Sequence, residues 1–222
     1  MLSVSHLSFS YQKKIIFSDL SFQLEPGTCT VVVGPNGSGK STLLSLLSGV
    51  LRPKQGTICA DGNIGLVPQG NGIFEDMTVA ENLRFFCNLA HCPVPSPLPF
   101  GLVPYARIRA SRLSGGYQKR LGIACTYVAA PDYWLFDEPC AGLDILWRQE
   151  LSQLIVNLKS QGHGILYVGH DPGEFVAFYD HLLILNHSHS MLIARKDIPA
   201  GTEASLIRQL LLSGRNEFEK EQ

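Results

Sequence analysis

Thr28-Cys29-Thr30-Val31-Val32-Val33-Gly34-Pro35-Asn36-Gly37-Ser38-Gly39-Lys40-Ser41-Thr42-Leu43-Leu44 is the stretch on which the fold turns. Residues 28–33 are a β-branched run of the kind a buried strand carries. Three glycines and a proline break it. From Lys40 onward Leu43, Leu44, Leu46 and Leu47 recur at helical spacing until Gly49 and Pro53 stop the helix. Residues 34–41 fit G-x-x-x-x-G-K-[ST], set between a strand and a helix as that spacing requires. Gly34, Gly37 and Gly39 let the backbone close around phosphate oxygens with its N–H groups turned inward. The helix N-terminus beyond adds unpaired donors and the positive end of a dipole. Lys40 offers a point charge to the β- and γ-phosphates, and the Ser41 hydroxyl is the kind of oxygen ligand that Mg²⁺ prefers. Asn36, Ser38 and Thr42 are assigned to the same cradle. The alternative is a glycine-rich turn with no ligand.

Outward from the cradle, strands and helices alternate. Residues 2–9 show period two, 17–24 read as a second strand, and Pro26-Gly27 is a turn. Buried strands are predicted at 133–136, 165–168 and 182–185, with helices at 79–89, 114–129 and 145–159 between them. That order predicts a mostly parallel sheet with an antiparallel sheet packed beside it. Residues 92–104 hold five of the 13 prolines, which excludes a regular helix or central strand and predicts an extended loop. Asp61-Gly62-Asn63 joins two strands directly. His187-Ser188-His189 reads as a hairpin turn rather than a metal pair, and 204–212 as an amphipathic helix on the body of the protein.

Composition narrows the function classes. With 222 residues the chain has room for one substantial core and a small subdomain. A net charge of −1 gives no global field for nucleic acid. No apolar run approaches the ~20 residues that cross a bilayer, so membrane contact is expected only through a partner. The six cysteines contain no C-x-x-C pair and are expected to be reduced, mostly buried thiols of a cytosolic protein.

A second chemical element is Tyr133-Trp134-Leu135-Phe136-Asp137-Glu138, an apolar strand ending in two carboxylates. Asp137 is placed to reach the shell of a bound Mg²⁺, and Glu138, on the other side, to orient or deprotonate an attacking water. Incidental acids at a solvated strand end are the alternative. Ser114-Gly115-Gly116 heads a predicted helix, giving a second anion-binding N-terminus with a hydroxyl donor far from the first in sequence.

Leu113-Ser114-Gly115-Gly116-Tyr117-Gln118-Lys119-Arg120 resembles the signature motif of the ATP-binding cassette (ABC) ATPases, and it lies between cradle and carboxylate strand in the family's order. Gln69, after Gly65-Leu66-Val67-Pro68, resembles the Q-loop residue, and Ala141-Gly142-Leu143-Asp144 resembles the D-loop. His170 resembles the switch histidine and Tyr11 the adenine-stacking aromatic. Read singly, Gln69 could be a loop amide, His170 a structural histidine and Tyr11 a packing residue. Tyr117 stands where the family often has glutamine. Cys140 and Gly169 each stand where it usually has threonine or serine.

The resemblance implies an α/β fold: a P-loop NTPase core with a mixed, mostly parallel sheet, an antiparallel β subdomain and a small, shortened helical subdomain. It makes 1–222 one domain, with 1–68 and 114–200 as core plus β subdomain, 69–113 as the reduced helical part, and 201–222 as a C-terminal helix and tail. It implies ATP and Mg²⁺ as ligands, with Ser41, Gln69 and Asp137 at the metal and Glu138, His170 and Gln69 as catalytic groups. Ser114, Gly115, Gly116 and Asp144 would meet the nucleotide of a second cassette, most simply an identical copy. The partner it implies is a separate transmembrane permease, with the cassette peripheral on the cytoplasmic face. Met77-Thr78-Val79-Ala80-Glu81-Asn82-Leu83 and Ser114 to Leu121 resemble exporter subunits. A non-transport ABC ATPase of an assembly or division complex, and an ATP-gated interaction module, are the alternatives.

Overall fold

Two sheets follow from the two apolar patterns, alternating in the first strands and unbroken in the later ones. The computed structural model describes residues 1–141, 145–186, 189–199, 201, 202 and 205. In chain order it contains β1 (Leu2–Tyr11), β2 (Lys14–Leu24), β3 (Cys29–Val33), α1 (Lys40–Leu47), β4 (Gln55–Ala60), β5 (Ile64–Val67) and α2 (Val79–Leu89). These are followed by α3 (Gly115–Tyr127), β6 (Tyr133–Asp137), α4 (Ile145–Ser160), β7 (Gly164–Val168), α5 (Pro172–Phe175), β8 (His181–Asn186) and β9 (His189–Ala194). One sheet is antiparallel with order β2-β1-β4; the other runs β5-β6-β7-β3-β8-β9. Its first five strands are mutually parallel, and β9 returns antiparallel on β8. The mostly parallel sheet and its antiparallel neighbour are those the sequence predicts.

Strand β6 shows how the layers are sewn together. Its side chains alternate faces, as the pleat demands. Tyr133 and Leu135 enter the core between the two sheets, with Leu2, Leu20, Leu43 and Leu183. Trp134 and Phe136 enter the core under α4, with Trp147, Leu151, Ile155 and Tyr167. All four residues are essentially inaccessible to water, and each side chain so buried contributes about 1.5–3 kcal/mol.

A third, smaller core joins α2, α3 and the proline-rich connection: Val79, Leu83, Leu102, Ala110, Leu121 and Ala124. Residues 92–104 form no regular helix or strand, as five prolines require. The segment nevertheless turns back instead of running extended. Phe100 and Gly101 take φ of 55° and 69°, a 3-10 turn covers Val103–Tyr105, and Leu102 is fully buried. Beyond it, the carbonyls of Ile108 and Ala106 each accept from α2's first turn, from Val79 and Ala80 N–H at 3.0 Å. Thr78 and Glu81 close a capping box on the same turn.

Four of the six cysteines are buried and all are free. Among the described residues no helix is long and apolar enough to cross a membrane. Gly142, Leu143, Asp144, His187, Ser188 and nearly all of the 204–212 segment lie outside the described residues.

Asn82, fully buried in α2, organises the approach to that helix. Its Oδ1 accepts from Phe74 N–H at 2.8 Å, and its Nδ2 donates to the carbonyls of Phe74 and Thr78 at 3.0 Å. Asn82→Ala leaves these groups without partners away from water. It is expected to cost about 1–3 kcal/mol, read as a lowered urea midpoint with unchanged slope; a midpoint equal to the wild type's would show the contacts to be dispensable.

Candidate active site

Parallel registers bring the chemistry to one edge of the large sheet. Val67 of β5 lies opposite Phe136 of β6, so two residues further on Gln69 comes beside Glu138. Asp137 lies opposite Val168 of β7, which carries Glu138 and His170 off adjacent strand ends. Val32 of β3 lies opposite Val168, and the glycine-rich loop leaves from the same edge. Ligand sites of open parallel sheets form at such carboxyl ends.

A cleft of about 1040 Å³ opens there, lined by Gly34, Asn36, Gly37, Gly39, Lys40, Ser41, Thr42, Gln69, Glu138 and His170 and closed at one side by Tyr11, Lys14 and Ile16. Two close approaches explain its glycines. A Cβ on Gly34 would run into the Leu185 carbonyl of β8 and lie 2.7 Å from Ser38 Oγ. Gly39 has φ of 101°, and a Cβ there would sit 2.8 Å from the Phe17 ring. Lys40 Nζ donates to the carbonyls of Gly34 and Pro35 at 2.9 and 3.0 Å, folding the loop around the ammonium. Ser38 Oγ is buried and finds no hydrogen-bond partner among the described residues. Burial lowers the pKa of Lys40, against the pull of Glu138 and Asp137.

The carboxylates divide as the strand alternation dictates. The Ser41 hydroxyl donates to Asp137 Oδ1 at 3.5 Å. Partial burial raises the pKa of Asp137, opposed by the Ser41 hydrogen bond and the Lys40 and Lys119 charges. Ser41 and Asp137 thus present hard oxygen donors to one spot, a set that fits Mg²⁺. Glu138 takes a left-handed backbone, φ 46°, which turns its side chain back over the cradle. Gln69 Nε2 donates to its Oε2 at 3.1 Å, and His170 Nε2 is hydrogen-bonded to its Oε1. His170 stands at the entry to α5, which Asp171 caps by accepting from Gly173 N–H at 3.0 Å while also pairing with Arg148.

The expected residues therefore separate into two groups. Gly34, Asn36, Gly37, Gly39, Lys40, Ser41 and Thr42, with Gln69, Glu138 and His170, line one cleft, while Ser38 is buried within the loop and Asp137 joins the site through the Ser41 hydroxyl. Tyr11 stands at its rim, 48% exposed, edge-on to Phe9. Ser114, Gly115 and Gly116 do not line that cleft; Ser114 and Gly115 are exposed at the head of α3, and the Ser114 side chain makes no cap hydrogen bond. Asp144 lies outside the described residues. Sequence reasoning missed Lys14 and Ile16, which reach the cleft because Tyr11 pairs with Lys14 across the β1–β2 turn. It also missed Lys119, which lies between Gln118 and Arg120 in α3 and is nevertheless buried.

The ABC transporter family matches residues 17–141. The chain is 29% identical over 98% of its length to the linearmycin resistance ATP-binding protein LnrL of Bacillus subtilis, covering 76% of that protein. It is 38% identical over 72% of its length to the Nod factor export ATP-binding protein I of Paraburkholderia xenovorans, of which it spans 60%. It is 32% identical over 90% of its length to the taurine import ATP-binding protein TauB of Yersinia pestis, covering 86% of it. Among solved structures, a metal-chelate type ABC transporter in an inward-facing conformation superposes with a TM-score of 0.82 at 29% identity, over 96% of this chain and 88% of that one. On the fold, the strand-edge site and these likenesses together, the chain belongs to the ABC transporter family, as one of its ATPase cassettes.

Proposed function

We propose that this cassette binds ATP with Mg²⁺ in the cleft, hydrolyses it, and drives a separate membrane-spanning permease from the cytoplasmic side, paired with a second cassette. The observation that carries the reading is Glu138, held on one oxygen by the Gln69 amide and on the other by the His170 imidazole, at the mouth of a phosphate cradle.

In this reading the backbone N–H groups of 34–42 and the Lys40 ammonium bind the phosphates, and Tyr11 stacks on the base. Ser41, Asp137 and Gln69 would hold Mg²⁺, which would supply charge neutralisation to the phosphates. The Glu138 carboxylate accepts the proton of the attacking water at Oε1 or Oε2. His170 and Gln69 fix its orientation, and His170 adds a contact to the terminal phosphate. The Ser114-Gly115-Gly116 head of α3, outside its own cleft and with Ser114 and Gly115 exposed, faces the nucleotide of the second copy, with Asp144 at the same interface. An isologous pair closes such an interface without open ends. The region 69–113, in a single domain 1–222, is the part that meets the permease. Export is the direction we favour, on the exporter-like motifs and the higher identity to the Nod factor export protein than to the taurine import protein.

Glu138→Gln is expected to bind MgATP normally, lose turnover by about 10²–10⁴-fold, and elute as an ATP-dependent dimer. Unchanged turnover would remove Glu138 from its role. Lys40→Ala is expected to lose binding of a fluorescent ATP analogue; wild-type affinity would refute the cradle.

Asp137→Asn separates stability from function. Because burial holds the native pKa of Asp137 above its unfolded value, its ionised form opposes folding above that value, and stability falls as pH rises through the window. Without nucleotide and metal, the neutral variant is expected to melt at or slightly above the wild-type temperature at pH 7, while MgATP turnover is lost. A clear drop in its nucleotide-free melting temperature would contradict this.

A further inference from the structure

Lys119 is the one buried ammonium of the described residues that no part of the proposed mechanism uses. It is 3% exposed, in the second turn of α3. Its Nζ donates to three successive carbonyls, those of Pro68 and Gln69 at 2.9 Å and Gly70 at 3.3 Å. An ammonium has three donors, so all are used. Among the described residues no carboxylate lies within ion-pair distance of it, and the longer-range fields of Asp137 and Cys140 only partly offset its burial. A cation buried this way adds little net stability, since an apolar side chain of similar size would fill the space without desolvating a charge.

What it does supply is geometry. The Pro68 and Gln69 carbonyls belong to the two peptide planes that flank the Gln69 Cα. Fixing both fixes the direction in which the Gln69 side chain leaves the backbone, toward Glu138 Oε2 at 3.1 Å. Two neighbours on the same face of α3 reinforce the hold. Gln118 Oε1 accepts from Asn71 Nδ2 at 2.8 Å, and Gly122 leaves room for the Asn71 carbonyl, which any Cβ would strike. The helix that begins at Ser114 therefore grips residues 68–71 along residues 118, 119 and 122.

We infer that Lys119 is the positioning residue that sets Gln69 against Glu138 and ties that setting to the helix headed by Ser114. The inference rests on the hydrolytic reading above and deepens it. A contact made by that helix cap with a second copy is passed through one turn of rigid helix to the group holding the catalytic carboxylate, by physically contiguous bonds.

The test is a double-mutant cycle on the full chain, with MgATP turnover and affinity for a fluorescent ATP analogue both measured. Lys119→Met is expected to lower kcat about tenfold with nucleotide affinity within about twofold of wild type. In a Gln69→Ala background the same substitution is expected to lower kcat less than about twofold, because its hydrogen-bonded route to Glu138 is already cut. A merely structural lysine would give the same loss in both backgrounds. Equal losses, an unchanged kcat, or a loss expressed in affinity would each overturn the inference. If Lys119→Met does not fold, Lys119→Gln, which keeps a donor for one carbonyl, is run through the same cycle and judged by the same outcomes. A wild-type chain that binds but never hydrolyses ATP would instead sink the hydrolytic reading, and this inference with it.

Discussion

The alignment of β6 with β7 is the constraint on which the site depends. With Asp137 opposite Val168, the next residue on one strand and the second on the other are Glu138 and His170, and their side chains meet. A slip of one residue would send alternate side chains to the opposite face, exchanging Asp137 with Glu138. The register is held by burial on both faces: Tyr133, Trp134, Leu135 and Phe136 are all inaccessible, so no slipped pairing keeps the two cores filled. Stability of the sheet and placement of the carboxylates are thus one property. The left-handed backbone at Glu138 is kept by the same frame, with its N–H donating to the Val168 carbonyl at 3.1 Å.

Two departures from the family pattern are bound together physically. Tyr167 is fully buried in β7 and its hydroxyl meets Cys140 Sγ at 3.6 Å and Glu174 Oε2 at 3.0 Å. A Cβ on Gly169 would lie 2.6 Å from the Tyr167 ring. The large ring thus occupies space that a residue larger than glycine at 169 would need, and a small thiol at 140 meets its hydroxyl. Burial raises the pKa of Cys140 to about 11, so it stays a neutral thiol at physiological pH. Glu138 and His170 stand on either side of this set, Glu138 two residues before Cys140 and His170 directly after Gly169.

Much of this was legible from local pattern. The loop 34–41 and α1 declare themselves by glycine spacing and a leucine stripe. The two-sheet architecture followed from alternating against continuous apolar runs. What stayed hidden depends on partners distant in the chain. Lys119 looks like any lysine in an amphipathic helix, because the carbonyls that receive it lie some fifty residues earlier. Asn82 looks like a helix surface amide, because its partners are backbone groups of a loop with no pattern of its own. Hydrophobic periodicity reports which face is buried; it says nothing of which carbonyls converge on a buried donor.

The proline-rich connection shows how a segment with little regular structure can still hold α3. Prolines restrict the unfolded chain, so ordering residues 92–104 costs less conformational entropy than ordering an equal length without them. They also lack the N–H that would otherwise need a partner in a segment without regular structure. The segment needs few contacts, and it has them: Leu102 is fully buried beside Leu121 and Ala124 of α3, and Phe100 packs edge-on against Tyr127 at 5.5 Å. Gln118 Nε2 adds a bond to the Ala110 carbonyl at 3.0 Å. One helix face is therefore fixed by a compact apolar core and the next by polar bonds to residues 68–71. A helix held on two sides in this way is joined to residues 68–71 as one packed unit, which is what transmitting a contact from its head to Glu138 requires.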